Sequence, residues 1–203
     1  IQMFLLENPI TRAGLSTVQK LSYLNTLWYF LHGIPRMIFL VSPILYLMFG
    51  IVCIHAPFFD VIMYYFSYFI VCSLAYNQVS SRVRLTQWSE VYETALSYYT
   101  AMVTFTTVLN PWAAQFKVTP KGVQRDKVDF EWLATLPQMI LFAITLASML
   151  AGVIYTYQAP QHGGYVLWNI LWAAYNGFLL ICAILVGVNR PQLRAYPLVS
   201  RAI

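Results

Sequence analysis

Hydrophobic positions along this chain fall into four long runs without charged residues. The runs cover Met37–Ala56, Val61–Ser81, Trp132–Tyr157 and Tyr165–Val188. Because a helix rises about 1.5 Å per residue, about 20 residues cross the roughly 30 Å of membrane hydrocarbon, and each run is long enough. Lipid offers no hydrogen-bond partner to an open backbone, so the runs are expected to be helical. Short turns at 57–60 and 158–164 join them into two transmembrane hairpins, 37–81 and 132–188.

A fifth uncharged run, Thr94–Phe116, belongs to a segment with two distinct faces. An apolar stripe at helical spacing contains Trp88, Val91, Tyr92, Ala95, Leu96, Tyr99, Met102 and Val103. A polar stripe contains Glu90, Glu93, Thr94, Ser97, Thr100, Thr104 and Thr107. If the run spans, seven of the 12 Lys and Arg residues move to the outer side, whereas otherwise all 12 share one side. The positive-inside rule favours the second arrangement, so residues 82–109 are predicted to form an amphipathic helix at the cytoplasmic interface.

The regions flanking these helices are expected to be cytoplasmic. Ser16 and Gln19 can form a capping box at the start of a helix in residues 1–36, whose uncharged part is too short to span. Residues 110–131 combine prolines with mixed charges, as a polar loop does, and residues 189–203 begin a C-terminal linker. The predicted fold is an all-α membrane protein with four transmembrane helices in two hairpins, two amphipathic interfacial helices and a cytoplasmic loop.

Composition agrees with a membrane location. Hydrophobic residues make up 60% of the chain and charged residues 9%, against roughly 25% charged residues in a soluble domain. The net charge of +5 is scattered between apolar runs, so topology explains it and nucleic acid is not an expected partner. Cys53, Cys72 and Cys182 lie in apolar runs without disulfide or metal spacing. Since the chain begins at Ile1 without an initiator Met, we expect an internal segment of a longer polypeptide.

Catalytic motifs are not found in the sequence, but three stretches suit ligand binding or membrane insertion. The segment 116–122, FKVTPKG, places two ammonium groups and a hydroxyl on one loop, where they can meet a diphosphate. The alternative is an ordinary basic cytoplasmic loop. Residues 78–93 gather carboxylates and aromatic rings that suit a sugar, the alternative being an interfacial aromatic anchor. The third stretch, Gly33-Ile34-Pro35-Arg36, is a helix start with a snorkelling Arg.

Four pieces of the sequence, in order, resemble the C-terminal membrane half of the catalytic subunit of bacterial cellulose synthases, which are processive family-2 glycosyltransferases. They are IQMFLLENP with GLSTVQKLSYLN, then GIPRMIFLVSPILYLMFG, then QVSSRVRLTQWSEVYET, and last FKVTPKG. The resemblance covers essentially the whole chain. In that family the FxVTxK-type segment is a gating loop that enters the active site over the nucleotide, and the helix before it lines the entrance of the glucan channel.

The resemblance implies two sets of functional residues. The gating-loop role falls on Phe116, Val118, Thr119 and Lys121. The channel-entrance role falls on Trp88, Ser89, Glu90, Tyr92 and Glu93. The family's catalytic motifs, including those for UDP and metal, precede the matched region. The resemblance therefore implies that the parent enzyme binds Mg2+ outside this chain and that the chain alone lacks catalytic residues.

A regulatory motif of the family is matched only in spacing. The family often continues into a cyclic-di-GMP-binding PilZ domain that opens with Arg-x-x-x-Arg, and Arg190 and Arg194 have that spacing. By distance from the last crossing, however, Arg194 aligns with the first Arg, and Leu198 then stands in place of the second. This departure counts against activation by cyclic-di-GMP.

The leading hypothesis is the channel and gating-loop part of a multi-pass enzyme of the bacterial inner membrane. By resemblance, the parent polymerises UDP-glucose into a β-1,4-glucan and translocates the product. The implied partners are the lipid bilayer, UDP-glucose, the nascent glucan and a periplasmic accessory subunit. Two alternatives remain open: the same architecture in a synthase of another polysaccharide, such as a β-1,3-glucan, or a membrane scaffold or transporter subunit without enzyme activity.

Overall fold

The structure is a computed structural model that describes residues 1–53, 58–79, 86–112, 129–158 and 163–189. The helices of these parts are α1 (Gln2–Leu6), α2 (Thr17–Leu31), α3 (Gly33–Phe49), α4 (Phe58–Val79), α5 (Thr86–Leu109), α6 (Trp132–Gln158) and α7 (Gly163–Val186). Two short strands, β1 (Asp129–Phe130) and β2 (Val188–Asn189), complete the described chain. Helix dominates, as predicted from the apolar runs.

Three helical stretches of the described residues are long and apolar enough to cross a membrane. They are Thr17–Phe49, Trp132–Tyr157 and Gly164–Val186. The apolar part of α4, Ile62–Ala75, is shorter. Large apolar side chains such as Leu133, Leu150 and Phe178 point outward from these helices, where lipid is the favourable surrounding for them. The chain is an all-α membrane protein, and the number of four crossings stays a prediction.

The start of α2 and the end of α3 are both determined by local sequence. Ser16 accepts a hydrogen bond from the Gln19 amide, and the Gln19 side chain accepts one from the Ser16 amide, so the predicted capping box is present. Helix α3 ends at Phe49, although the apolar run continues to residue 56, because Gly50 adopts the left-handed conformation with φ 68°. The Gly50 amide then bonds the Tyr46 carbonyl and closes the helix.

The bundle is built on the hairpin of α6 and α7, against which α3 packs. Leu47 of α3 meets Val166 and Ala173 of α7 in the buried core. Gly152 of α6 leaves room for the Leu47 side chain, because a Cβ at that position would lie 2.6 Å from the Leu47 Cδ2 atom. Helix α5 lies across α3 and α7, and α4 contacts chiefly α7.

A two-stranded antiparallel ribbon holds the start of α6 beside the end of α7. Asp129 pairs with Asn189, and Phe130 pairs with Val188. The Glu131 amide adds a hydrogen bond of 3.1 Å to the Gly187 carbonyl. Two segments that are far apart in the sequence, those around residues 129 and 189, therefore leave the bundle at the same point.

Candidate functional site

The polar stripe of α5 faces into the bundle, and its apolar stripe faces outward. Thr94, Ser97, Thr104 and Thr107 are buried, whereas the apolar stripe is largely exposed. The Thr94 hydroxyl donates to the Glu90 carbonyl at 2.8 Å, and such bonds back to the preceding turn satisfy hydroxyls inside a helix bundle. This orientation is the reverse of a helix in a soluble protein, and it is the favourable one where the surrounding medium is lipid.

Arg36, in the first turn of α3, binds α5 with every nitrogen of its guanidinium group. Its Nη1 donates to Glu90 Oε2 at 2.7 Å, and its Nη2 donates to Thr94 Oγ1 at 2.8 Å and to the Glu90 carbonyl at 3.3 Å. Its Nε donates to the same Thr94 oxygen at 3.2 Å. The guanidinium carbon lies 5.5 Å from the centre of the Phe39 ring, which suits a cation–π contact.

Phe39 connects this ionic cluster to α7. Its ring lies 4.9 Å from that of Trp172, and its carbonyl accepts a hydrogen bond of 3.2 Å from Asn176 Nδ2. The carbonyl is free for this bond because its helical partner would be the amide of Pro43, which has no N–H. An amide side chain of a neighbouring helix therefore replaces the missing helical hydrogen bond.

The proline in α6 is compensated in the same way. Pro137 leaves the Leu133 carbonyl without its helical donor. The hydroxyl of Tyr99, which belongs to α5, donates to that carbonyl at 3.2 Å and reaches the Ala134 carbonyl at 2.8 Å. In addition, Gln138 Nε2 donates to the Ala95 carbonyl of α5 at 2.6 Å. Helix α5 is therefore hydrogen-bonded to α6 as well as to α3.

Helices α3 and α5 also approach each other very closely at Gly33, one to two turns of α5 after the residues that bind Arg36. A Cβ at Gly33 would lie 2.7 Å from the Ala101 nitrogen and 2.9 Å from the Ser97 carbonyl oxygen. No side chain fits such a gap, so glycine is required for the two backbones to approach. Arg36 and Gly33 thus contact α5 at two successive positions along its axis.

The five predicted channel-entrance residues lie on the first two turns of α5. Trp88 and Tyr92 are about half exposed, and Glu90 is bound to Arg36. Ser89 is half-buried, and its hydroxyl has no hydrogen-bond partner among the described residues. Glu93 is half-buried one turn after Glu90. The structure therefore places Glu90 against the start of α3 and leaves the Trp88 and Tyr92 rings on the outward face of α5, while their proposed role stays a prediction.

The remaining predicted sites lie outside the described residues. These are the gating-loop residues Phe116, Val118, Thr119 and Lys121 and the candidate cyclic-di-GMP residues Arg190 and Arg194. Within the described parts, no three His, Cys, Asp or Glu side chains come together to hold a metal ion.

Sequence reasoning misses the partners of Arg36 and the role of Asn176. It interprets Arg36 as a snorkelling side chain. However, Arg36 and Glu90 each lie at the edge of an uncharged segment, and such a pair of opposite charges is a signal for pairing. A polar Asn in an apolar span is likewise a signal for an inter-helix hydrogen bond, and Pro43 shows that another helix contains a carbonyl in need of one.

Fold and site together define an all-α membrane protein in which a polar-faced helix packs against a helical bundle. The chain is 32% identical over 200 residues to the cellulose synthase catalytic subunit [UDP-forming] of Pseudomonas fluorescens (strain SBW25), covering 98% of this chain and 27% of that protein. It is 34% identical over 199 residues to the cellulose synthase 1 catalytic subunit [UDP-forming] of Komagataeibacter xylinus, covering 96% and 26%. It is also 33% identical over 206 residues to cellulose synthase 2 of Novacetimonas hansenii, covering 100% and 13%.

Nearly the whole chain is thus homologous to a segment of cellulose synthases, which confirms the resemblance expected from the four sequence pieces. No protein-family model matches the chain. The chain spans about a quarter or less of the length of these curated relatives.

Proposed function

We propose that this chain forms the membrane channel and gating-loop part of a cellulose synthase. The parent enzyme polymerises UDP-glucose into a β-1,4-glucan and moves the product across the bacterial inner membrane, in which the chain is a multi-pass component. The observation that carries the proposal is the similarity to cellulose synthases along 96% or more of the chain, including two relatives whose names describe them as UDP-forming.

The arrangement of α5 supports a role in guiding a sugar polymer. Trp88 and Tyr92 present half-exposed rings at the start of the helix, and aromatic faces pack well against the C–H faces of sugars. Ser89 has a buried hydroxyl without a partner among the described residues, and Glu93 adds a half-buried carboxylate one turn further. In the proposal, such groups hydrogen-bond sugar hydroxyls where a glucan passes the first two turns of α5.

Chemistry is assigned to the parent enzyme and not to these residues. In the proposal, Mg2+ is bound by the part of the parent enzyme outside this chain. The proposal gives the loop residues Phe116, Val118, Thr119 and Lys121 the task of closing over the nucleotide. A Lys ammonium and a Thr hydroxyl suit diphosphate oxygens, and loop closure excludes water from a reacting site.

A chimeric enzyme tests the proposal. The matching segment of the Pseudomonas fluorescens catalytic subunit is replaced by residues 1–203, and membranes containing the chimera receive UDP-glucose and Mg2+. We expect UDP release together with an insoluble glucan that a β-1,4-specific cellulase digests.

The control is a chimera of equal membrane abundance in which residues 113–128 are replaced by a Gly/Ser linker of the same length. It should be inserted but inactive. If the full chimera is inserted and makes no glucan, the proposal is wrong.

A further inference from the structure

The contact between Arg36 and Glu90 joins two helices at a place where few charges occur. Arg36 lies in the first turn of α3, and Glu90 lies in the second turn of α5, 54 residues later. The Arg36 side chain is only 12% exposed and the Glu90 side chain 37%. A guanidinium with so little access to water is stable only where its charge and donors have partners.

The hydrogen-bond geometry shows that Arg36 and Glu90 bind each other. All three guanidinium nitrogens donate to Glu90 or Thr94, and the Glu90 backbone carbonyl accepts from both Arg36 and Thr94. A planar guanidinium with several simultaneous bonds fixes orientation as well as distance. The cluster therefore defines the register of α5 relative to α3.

A second contact, at Gly33, also holds α5 against α3. The backbone of α5 meets Gly33 at Ser97 and Ala101, one to two turns after the Arg36 cluster. That contact depends on close approach and contains no side chain at Gly33. Without Arg36, α5 keeps the Gly33 contact and its hydrogen bonds to α6 from Ala95 onward, whereas its first two turns, which contain Trp88 and Tyr92, lose their hydrogen bonds to α3.

We propose that Arg36 and Glu90 form a positioning pair: they hold the first turns of α5 against α3 and so fix the rings of Trp88 and Tyr92, and the Glu90 carboxylate acts through Arg36 and not on a ligand. The inference about sugar binding rests on the proposed function, whereas the inference about helix position does not.

Chemical labelling of a buried probe tests the helix position. Ser97 is 1% exposed, and its hydroxyl lies 3.6 Å from the Met37 Sδ atom of α3. In a chain whose Cys53, Cys72 and Cys182 are changed to Ala, Ser97→Cys reports the separation of the two helices through its rate of reaction with N-ethylmaleimide in nanodiscs. Arg36→Leu and Glu90→Leu should each raise this rate by about tenfold, because each leaves one charge unpaired.

The double variant Arg36→Leu/Glu90→Leu distinguishes a coupled pair from two independent contacts. If the residues act together, its labelling rate should be no higher than that of either single variant, because no unpaired charge remains, and should lie well below the product of the two effects. Arg12→Leu is the matched control, because Arg12 pairs with Glu7 at the surface and both side chains are mostly exposed. Single variants that label within about twofold of the parent, or effects that multiply in the double variant, overturn the pair.

Glucan synthesis by the chimera tests how Glu90 acts. If Glu90 works through Arg36, the double variant should make more glucan than Glu90→Leu alone, since no unpaired guanidinium remains. If Glu90→Leu abolishes synthesis while labelling of the Ser97→Cys probe stays at the parent rate, Glu90 binds the sugar directly and the inference is wrong. If the unchanged chimera makes no glucan, the proposed function fails, and labelling alone decides whether Arg36 and Glu90 position α5.

Discussion

The side chain of Asn176 donates a hydrogen bond of 3.2 Å to the backbone carbonyl of Phe39. Pro43, four residues after Phe39, cannot supply the usual helical donor. Asn176 itself is fully buried, and a buried carbonyl without a donor costs free energy in a protein core and more in lipid. Asn176 of α7 therefore replaces the helical hydrogen bond that Pro43 removes from α3.

Removing the amide should destabilise the bundle because the Phe39 carbonyl loses its donor. We expect Asn176→Ala to lower the free energy of unfolding by about 1–3 kcal/mol, measured by SDS titration in mixed micelles. In a Pro43→Ala background the helical amide returns, so the same change should cost clearly less. Asn169→Ala is the control, because among the described residues the Asn169 side chain bonds only the Tyr165 carbonyl of its own helix. Equal costs of Asn176→Ala in the two backgrounds would contradict this explanation.

Gly33 should tolerate no side chain. Because an added Cβ would lie 2.7 Å from a backbone nitrogen of α5, Gly33→Ala should force the helices apart and destabilise the chain by about 1–3 kcal/mol in the same titration. Gly164→Ala is the matched control, since a Cβ there meets no atom within 4 Å and Ala is the better helix former. A neutral Gly33→Ala variant would show that α3 and α5 do not approach this closely.

Topology reporters test the expected sidedness of the chain. A reporter fused after Gly122 should be cytoplasmic and one fused after Pro160 should be external, because this arrangement keeps all 12 Lys and Arg residues inside. The reversed result, with the Gly122 fusion external and the Pro160 fusion cytoplasmic, would show that the region 94–116 crosses the membrane, because the crossing at 132–157 separates the two fusion points in either arrangement.

The gating-loop assignment predicts a difference between two lysines of one loop. In the chimera, Lys121→Ala should slow glucan synthesis by about ten- to a hundredfold, because a charge-assisted bond to the nucleotide is lost. Lys127→Ala, outside the FKVTPKG segment, should have little effect at equal membrane abundance. If both variants lose activity equally, or neither does, the segment is an ordinary basic loop.

Local features of this fold could be predicted from sequence, and contacts between distant segments could not. The capping box of Ser16 and Gln19 spans only four residues, and the apolar runs predict helices. Hydropathy does not predict the end of α3 at Gly50, because it does not register the conformational freedom of glycine.

The orientation of α5 shows the limit of periodicity more clearly. Periodicity identifies both of its stripes, but which stripe faces inward depends on the medium and on partners elsewhere in the chain. The hydrogen-bond partner of Thr94 is Arg36, which lies 58 residues away in the sequence. The partner of Ser97 is Met37, which lies 60 residues away. The start of α5 could therefore be predicted as a candidate site from its carboxylates and aromatic rings and from the family resemblance, whereas its anchoring to Arg36 is visible only in the structure.

The replacement of helical bonds by inter-helix bonds has a consequence for biosynthesis. Helix α3 leaves the insertion machinery with one carbonyl unpaired, and its donor is Asn176, which is synthesised 137 residues later. The Leu133 carbonyl of α6 differs, because its donor on α5 has already been made. The first hairpin is therefore expected to stay incompletely assembled until the final helix arrives, so truncation before α7 should leave α3 accessible to quality-control proteases even though it is already inserted.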